Sequence, residues 1–152
     1  MQFDHEKLDV YQLELPLLSW VTELIDEVRN THGAKAREPL DHLDRGSLST
    51  LFNTAEGNGK RQRRVRAKFF DDARGSGTEC AACLDALVAK GFCKSERVAR
   101  GKELLFRIVS MLSKLVDRFS GGESVREEGA PYETASEETE DEDDDEDEDE
   151  ND

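Results

Sequence analysis

The sequence predicts an all-α protein, an antiparallel up-down four-helix bundle followed by a disordered acidic C-terminal tail. Three observations predict it. Apolar residues recur at helical spacing from about residue 8 to residue 119, and the links between the periodic stretches are short. Strand signals are nearly absent, with no hairpin dipeptide flanked by alternating residues.

The first helix is expected over roughly Leu8 to Asn30, presenting Leu13, Leu17, Trp20, Val21, Leu24 and Val28. Pro16 lies inside this pattern, so the helix either kinks or starts there. The second helix runs from about Pro39 to Glu56, with Leu40, Leu43, Ser47, Leu51 and Ala55 on one side. Pro39 suits a first turn, where its missing N–H costs nothing. Gly57 and Gly59, with Asn58 between, are read as a left-handed helix end that turns the chain into the third helix.

The third helix spans about Arg61 to Lys90, with Val65, Phe69, Ala73, Cys80, Leu84 and Leu87 inward and Gly91 as its stop. Glycine in its middle, at Gly75 and Gly77, costs close to 1 kcal/mol each relative to alanine. Either a close backbone approach, to a bundle neighbour or another subunit, or a local kink accounts for it. The fourth helix is the clearest, with Val98, Leu105, Ile108, Leu112, Leu115 and Phe119 at three- and four-residue steps. Ser95 is its expected N-cap, and Gly121-Gly122 its stop. Short links make sequential helices antiparallel neighbours.

Composition changes abruptly after Gly122. Residues 123–152 carry 18 Asp and Glu against the single Arg126, a net of −17, with eleven consecutive acids from Glu140 to Glu150. Such a segment buries too little apolar surface to offset the entropy of ordering, and disorder is expected. Two regions follow, a bundle domain over 1–122 and a tail over 123–152. The bundle holds 18 acids and 20 Lys or Arg, so the low pI belongs to the tail.

No apolar run approaches the roughly 20 residues of a membrane helix. Three cysteines behind a polar N-terminus, MQFDHEK, point to reduced thiols and a soluble, cytoplasmic protein without membrane association.

"NTAEGNGKRQRRVRAKFF", residues 53–70, is the stretch most suggestive of function. As a phosphate loop it fails. Thr54 stands where a Walker A loop needs glycine, Arg61 replaces the hydroxyl after the lysine, and the preceding element reads as helix. The six cations Lys60, Arg61, Arg63, Arg64, Arg66 and Lys68 are more informative. On a helix Lys60, Arg64 and Lys68 fall on one line, flanked by Arg63 and Arg66. They crowd a helix start, where the macrodipole disfavours cations. An anion-binding patch for RNA or DNA phosphates is one reading, and an ordinary charged face the other. "KRQRRVR" also has the composition of a nuclear-import signal.

Cys80 and Cys83 form a CxxC on a helix, with Cys93 beyond and no histidine near in sequence. Small apolar thiols at a helix interface explain them better than a metal site. His5, His32 and His42 supply no Glu-x-x-His pair for di-metal chemistry. No nucleophile–base arrangement is legible, so no enzyme, cofactor or metal is expected.

The runs "RGSLSTLFNTAEGNGKR", "FFDDARGSGTEC" and "IVSMLSKLV" resemble the four-helix bundle family of 23S rRNA intervening-sequence proteins. That family includes the accessory variability determinants of diversity-generating retroelements. The resemblance covers about residues 3–119. Its most specific elements are Asn53, Ala55, Glu56 and Gly57, then Ala73, Arg74, Gly75 and Ser76, with Glu79 following. The resemblance implies an antiparallel bundle that assembles as a ring-shaped homopentamer, with no enzymatic activity. In retroelement members it implies a basic ring that binds nucleic acid and a reverse transcriptase. Gly46 and Gly77 stand where the family commonly has alanine, which is expected to loosen both helices. The acidic tail is not part of the family pattern.

Overall fold

A computed structural model describes residues 1–121 of the chain. The tail expected over 123–152 lies outside the described residues. Four helices follow a 3-10 turn at Asp4–Lys7: α1 (Asp9–His32), α2 (Arg37–Gly59), α3 (Arg63–Ala89) and α4 (Ser95–Phe119). The described residues contain no strand.

Each neighbouring pair is antiparallel, as paired side chains show. Along α1 and α2, Glu14 meets Thr54 while Arg29 meets Asp41. Along α2 and α3, Gly46 lies against Cys80 and Gly57 against Phe69. Along α3 and α4, Gly77 lies against Val109 while Asp85 pairs with Lys102. Trp20 and Glu27 of α1 meet Gly101 and Arg97 of α4, closing the bundle. The core runs along its axis through Leu17, Leu24, Leu40, Leu43, Phe70, Leu84, Leu87, Leu105, Ile108 and Leu112. Burial of each such side chain contributes roughly 1.5–3 kcal/mol.

Several boundaries differ from expectation. α1 continues through Pro16, which lies on the exposed side with a full turn of helix before it. The proline therefore does not start the helix. Its absent N–H leaves the Gln12 carbonyl to solvent. The first link is shorter than expected, a single 3-10 turn at Gly33–Ala36. α2 continues past Glu56 to Gly59, and neither Gly57 nor Gly59 has the left-handed backbone expected of them. Positive φ belongs to Gly33, Gly91 and Gly121. Gly57 is instead needed for space, because a Cβ there would stand 2.8 Å from the Phe69 Cβ.

The inward face at the start of α3 is Ala67, Phe70 and Ala73, while Val65 and Phe69 are only half-buried. α4 is capped from Lys94, with Ser95 its first residue. Gly91 closes α3 as expected, its N–H and that of Phe92 reaching back to Val88 and Leu87 carbonyls. No described helix is long and apolar enough to cross a membrane.

Gly46 and Gly77 lie where neighbouring helices come close. A Cβ on Gly46 would lie 2.9 Å from the Cys80 Sγ, and one on Gly77 would lie 3.2 Å from Val109. Both allow neighbouring helices to approach, which answers the question for Gly77. Gly75 has open space around it.

Candidate nucleic-acid interface

The cation-rich stretch makes a corner at one end of the bundle. α2 stops at Gly59 because Lys60 is extended (φ −79°, ψ 143°), and Gln62 (φ −82°, ψ 133°) caps α3. The first turn of α3 then carries Arg63, Arg64 and Arg66 with no acid among them. Positive charge at this helix start is unfavourable to the helix itself.

The six cations divide by what they touch. Arg66 is half-buried and joins the fold: Nη1 donates to the Lys60 carbonyl at 3.1 Å, and Nη2 donates to Asn58 Oδ1 at 2.9 Å. Its guanidinium also lies 4.5 Å from the Phe119 ring centroid. Arg63 donates to the Arg118 carbonyl and lies over the same ring at 5.0 Å. Lys60 is 3.5 Å from Glu56 and 5.1 Å from the Phe69 ring. Lys68 pairs with Asp72 at 3.7 Å. Arg61 and Arg64 are exposed and have no acidic partner among the described residues. The expected single line of Lys60, Arg64 and Lys68 does not form, because Lys60 belongs to the end of α2. Arg64 and Lys68 keep their four-residue spacing on α3.

Sequence reasoning missed the contribution of α4. Arg118 in its last turn is exposed and sits 5.1 Å from the Phe119 ring, so three guanidiniums surround one aromatic side chain. Only the basic character of that last turn signalled this, and nothing in sequence linked it to residues 63–66. Asn58 was missed too. Buried between two glycines, it donates to Asp4 Oδ2 at 2.8 Å and accepts from Arg66, tying the N-terminal 3-10 turn to the corner.

The family-motif residues mostly shape the α2–α3 seam. Asn53 Nδ2 donates to the Ser49 carbonyl at 3.0 Å, and Ser49 Oγ meets Ser76 Oγ at 2.9 Å. Ala73 is buried, Ala55 is half-buried, and Arg74 pairs with Asp71 at 2.6 Å. Glu79 faces His42 at 3.4 Å, and Glu56 faces Lys60. The cysteines behave as packing groups: Cys80 is fully buried, and burial, with the Cys83 and Glu79 charges adding to it, pushes its thiol up to about 12. Burial also raises Cys83. No group of three or more His, Cys, Asp or Glu among the described residues could hold a metal ion.

Glu14 is a further site that periodicity could not reveal, a fully buried carboxyl between α1 and α2. Burial pushes its pKa from 4.5 up to about 8, opposed by its hydrogen bond with Thr54. The Thr54 Oγ1 lies 2.7 Å from Glu14 Oε2 and 2.9 Å from the Thr50 carbonyl. One hydroxyl proton cannot serve both acceptors. A protonated Glu14 resolves this by donating to Thr54, which then donates to Thr50. Geometry and burial agree on a neutral carboxyl at pH 7.

These elements define the class, an antiparallel up-down four-helix bundle protein with a cationic corner. The model of the family described as 23S rRNA-intervening sequence protein matches residues 6–114, and the chain belongs to that family. A crystal structure from Bacteroides thetaiotaomicron, of a protein of unknown function in the S23 ribosomal protein family, is also similar. It superposes with a TM-score of 0.65 at 16% identity, covering 70% of this chain and 97% of that one. Likeness at that identity concerns the fold alone. No curated protein matches the chain.

Proposed function

We propose that this protein is a non-enzymatic, oligomeric bundle that binds RNA or DNA phosphates through its α2–α3 corner, with the acidic tail modulating that binding. The observation carrying this reading is the exposure of Arg61 and Arg64, without an acidic partner among the described residues, on a corner that Arg63, Arg118 and Lys68 extend. Cations placed against a helix dipole, without acids to neutralise them, have a physical use when an anion arrives. Arg66 serves as the scaffold of the site and does not count among the phosphate contacts.

The α4 helix ends beside this corner, and the tail of net −17 begins four residues after Phe119. A tethered polyanion reaches an effective concentration on the order of millimolar at nearby sites, and it competes with nucleic acid there. Titration of structured RNA and duplex DNA at several salt concentrations tests both parts. Affinity should fall steeply with salt, with a slope of roughly −0.9 per neutralised phosphate on duplex. A chain ending at residue 122 should bind more tightly than the full chain, most visibly at low salt. Salt-insensitive or absent binding by both chains would overturn the reading.

A second reading, a protein-interaction scaffold whose tail serves solubility, is favoured by Phe106 and Phe52. These residues are 74% and 59% exposed, on α4 and α2. Self-association into a homopentamer belongs to the first reading, and a protein partner such as a reverse transcriptase is compatible with either. Light scattering tests the homopentamer. Capture of a partner that survives nuclease treatment separates a protein contact from one bridged by nucleic acid.

A further inference from the structure

Aromatic side chains share the basic end of the bundle. The Phe3 ring is 70% exposed and stacks on His5 with centroids 5.7 Å apart and planes 18° apart. His5 in turn meets the edge of Tyr11 at 4.8 Å. Asp4, between the two stacked rings in sequence, accepts the 2.8 Å hydrogen bond from buried Asn58. Asn58 accepts from Arg66, which also holds the Lys60 carbonyl. Three hydrogen bonds thus connect the aromatic pair to the chain segment that presents Arg61 and Arg64.

Nothing in the fold requires a phenyl ring in water at this position, since Phe3 is absent from the core. The segment is nevertheless held in shape: the Phe3 N–H donates to Glu6 Oε2 at 3.2 Å, and Gln12 Nε2 donates to the Glu6 carbonyl at 2.9 Å. Asp4 and Glu6 are hydrogen-bonded within the fold, to Asn58 and to the Phe3 N–H.

Resting on the reading of the corner as a phosphate site, we infer that its ligand is unpaired nucleic acid, with a base on the Phe3–His5 surface and adjoining phosphates on Arg61 and Arg64. Base faces are available for stacking in single strands, loops and ends, and are hidden inside a duplex. A cationic surface beside an exposed π-face is the combination that single strands exploit and duplexes cannot.

The test uses the full chain and fluorescence anisotropy with labelled single-stranded RNA, single-stranded DNA and a duplex. The wild type should bind the single strands more tightly than the duplex. Phe3→Ala with His5→Ala should weaken single-strand binding on the order of tenfold, leave duplex binding unchanged, and leave the salt slope unchanged. Arg61→Gln with Arg64→Gln should weaken all three and flatten the slope. Unchanged thermal unfolding verifies that both variants fold. If the aromatic variant binds single strands as the wild type does, while the arginine variant loses binding, stacking is wrong and the phosphate site stands. If the wild type binds no oligonucleotide, both fall.

Discussion

The two sides of α1 are built on different physics. Toward α4, Trp20 packs against the chain at Gly101, where a Cβ would come within 2.3 Å of the indole, and Arg97 sits 5.5 Å over the ring. Toward α2, a buried carboxyl meets Thr54, which bonds in turn to the Thr50 carbonyl. The first seam is held mainly by shape, with the Arg97–Glu27 pair at its surface. The second depends on a proton, so one helix is fixed on one side and titratable on the other.

The largest expected effect separates the seams by pH. Glu14 keeps its proton to about pH 8 when folded but loses it near 4.5 when unfolded. Between those values the folded chain holds more protons, so this contribution to stability is full below 4.5 and declines as pH rises through 8. At about 1.4 kcal/mol per pH unit, the decline approaches about 5 kcal/mol across the window. Denaturant unfolding at pH 5, 7 and 9 measures it, and Glu14→Gln should remove this dependence while raising stability at pH 9. A slope unaltered by that substitution would show the carboxyl to be ionised.

Next in size, Gly101→Leu should destabilise by about 3 kcal/mol through overpacking, equally at pH 6 and pH 8, because the indole must leave its place. A pH-dependent loss would mean that the seams are coupled. Thr54→Val should cost about 2 kcal/mol at pH 6 by orphaning the Glu14 proton, and thermal melts suffice to see it. The smallest effect is on the α4 side. Arg97→Ala removes a 3.0 Å pair with Glu27 and the contact with Trp20, yet the pair faces solvent, and a smaller loss than from any of the other three substitutions is expected in thermal melts. A larger loss would move the strength of that seam from the glycine contact to the ion pair.

The helices were legible in the sequence wherever apolar spacing decides the outcome, most fully in α4, where Val98, Leu105, Ile108 and Leu112 are all buried. Local signals failed where distant residues decide. α2 outruns its expected end because Asn58 is held by Asp4 and Arg66, from 54 residues before it and eight after it. The start of α3 turns Ala67 and Phe70 inward because Phe70 packs against Phe119, 5.9 Å away. A scan for apolar positions passes over Glu14, since an inward acid has no pattern of its own. The cations of the corner were visible as a cluster, but not their division into Arg66, which holds the chain, and Arg61 and Arg64, which face water. That division depends on Asn58 and Phe119, neither of which carries charge.

Trp20 is the only tryptophan in the chain. Its place on Gly101, under Arg97, has a spectroscopic consequence: emission from this protein is governed by the contact between its first and last helices. Quenching or a wavelength shift would track the parting of α1 from α4, whereas occupancy of the α2–α3 corner would leave the signal silent unless the far seam moved with it. A ligand that changes the emission would therefore reveal mechanical communication through α1, from the carboxyl side to the indole side.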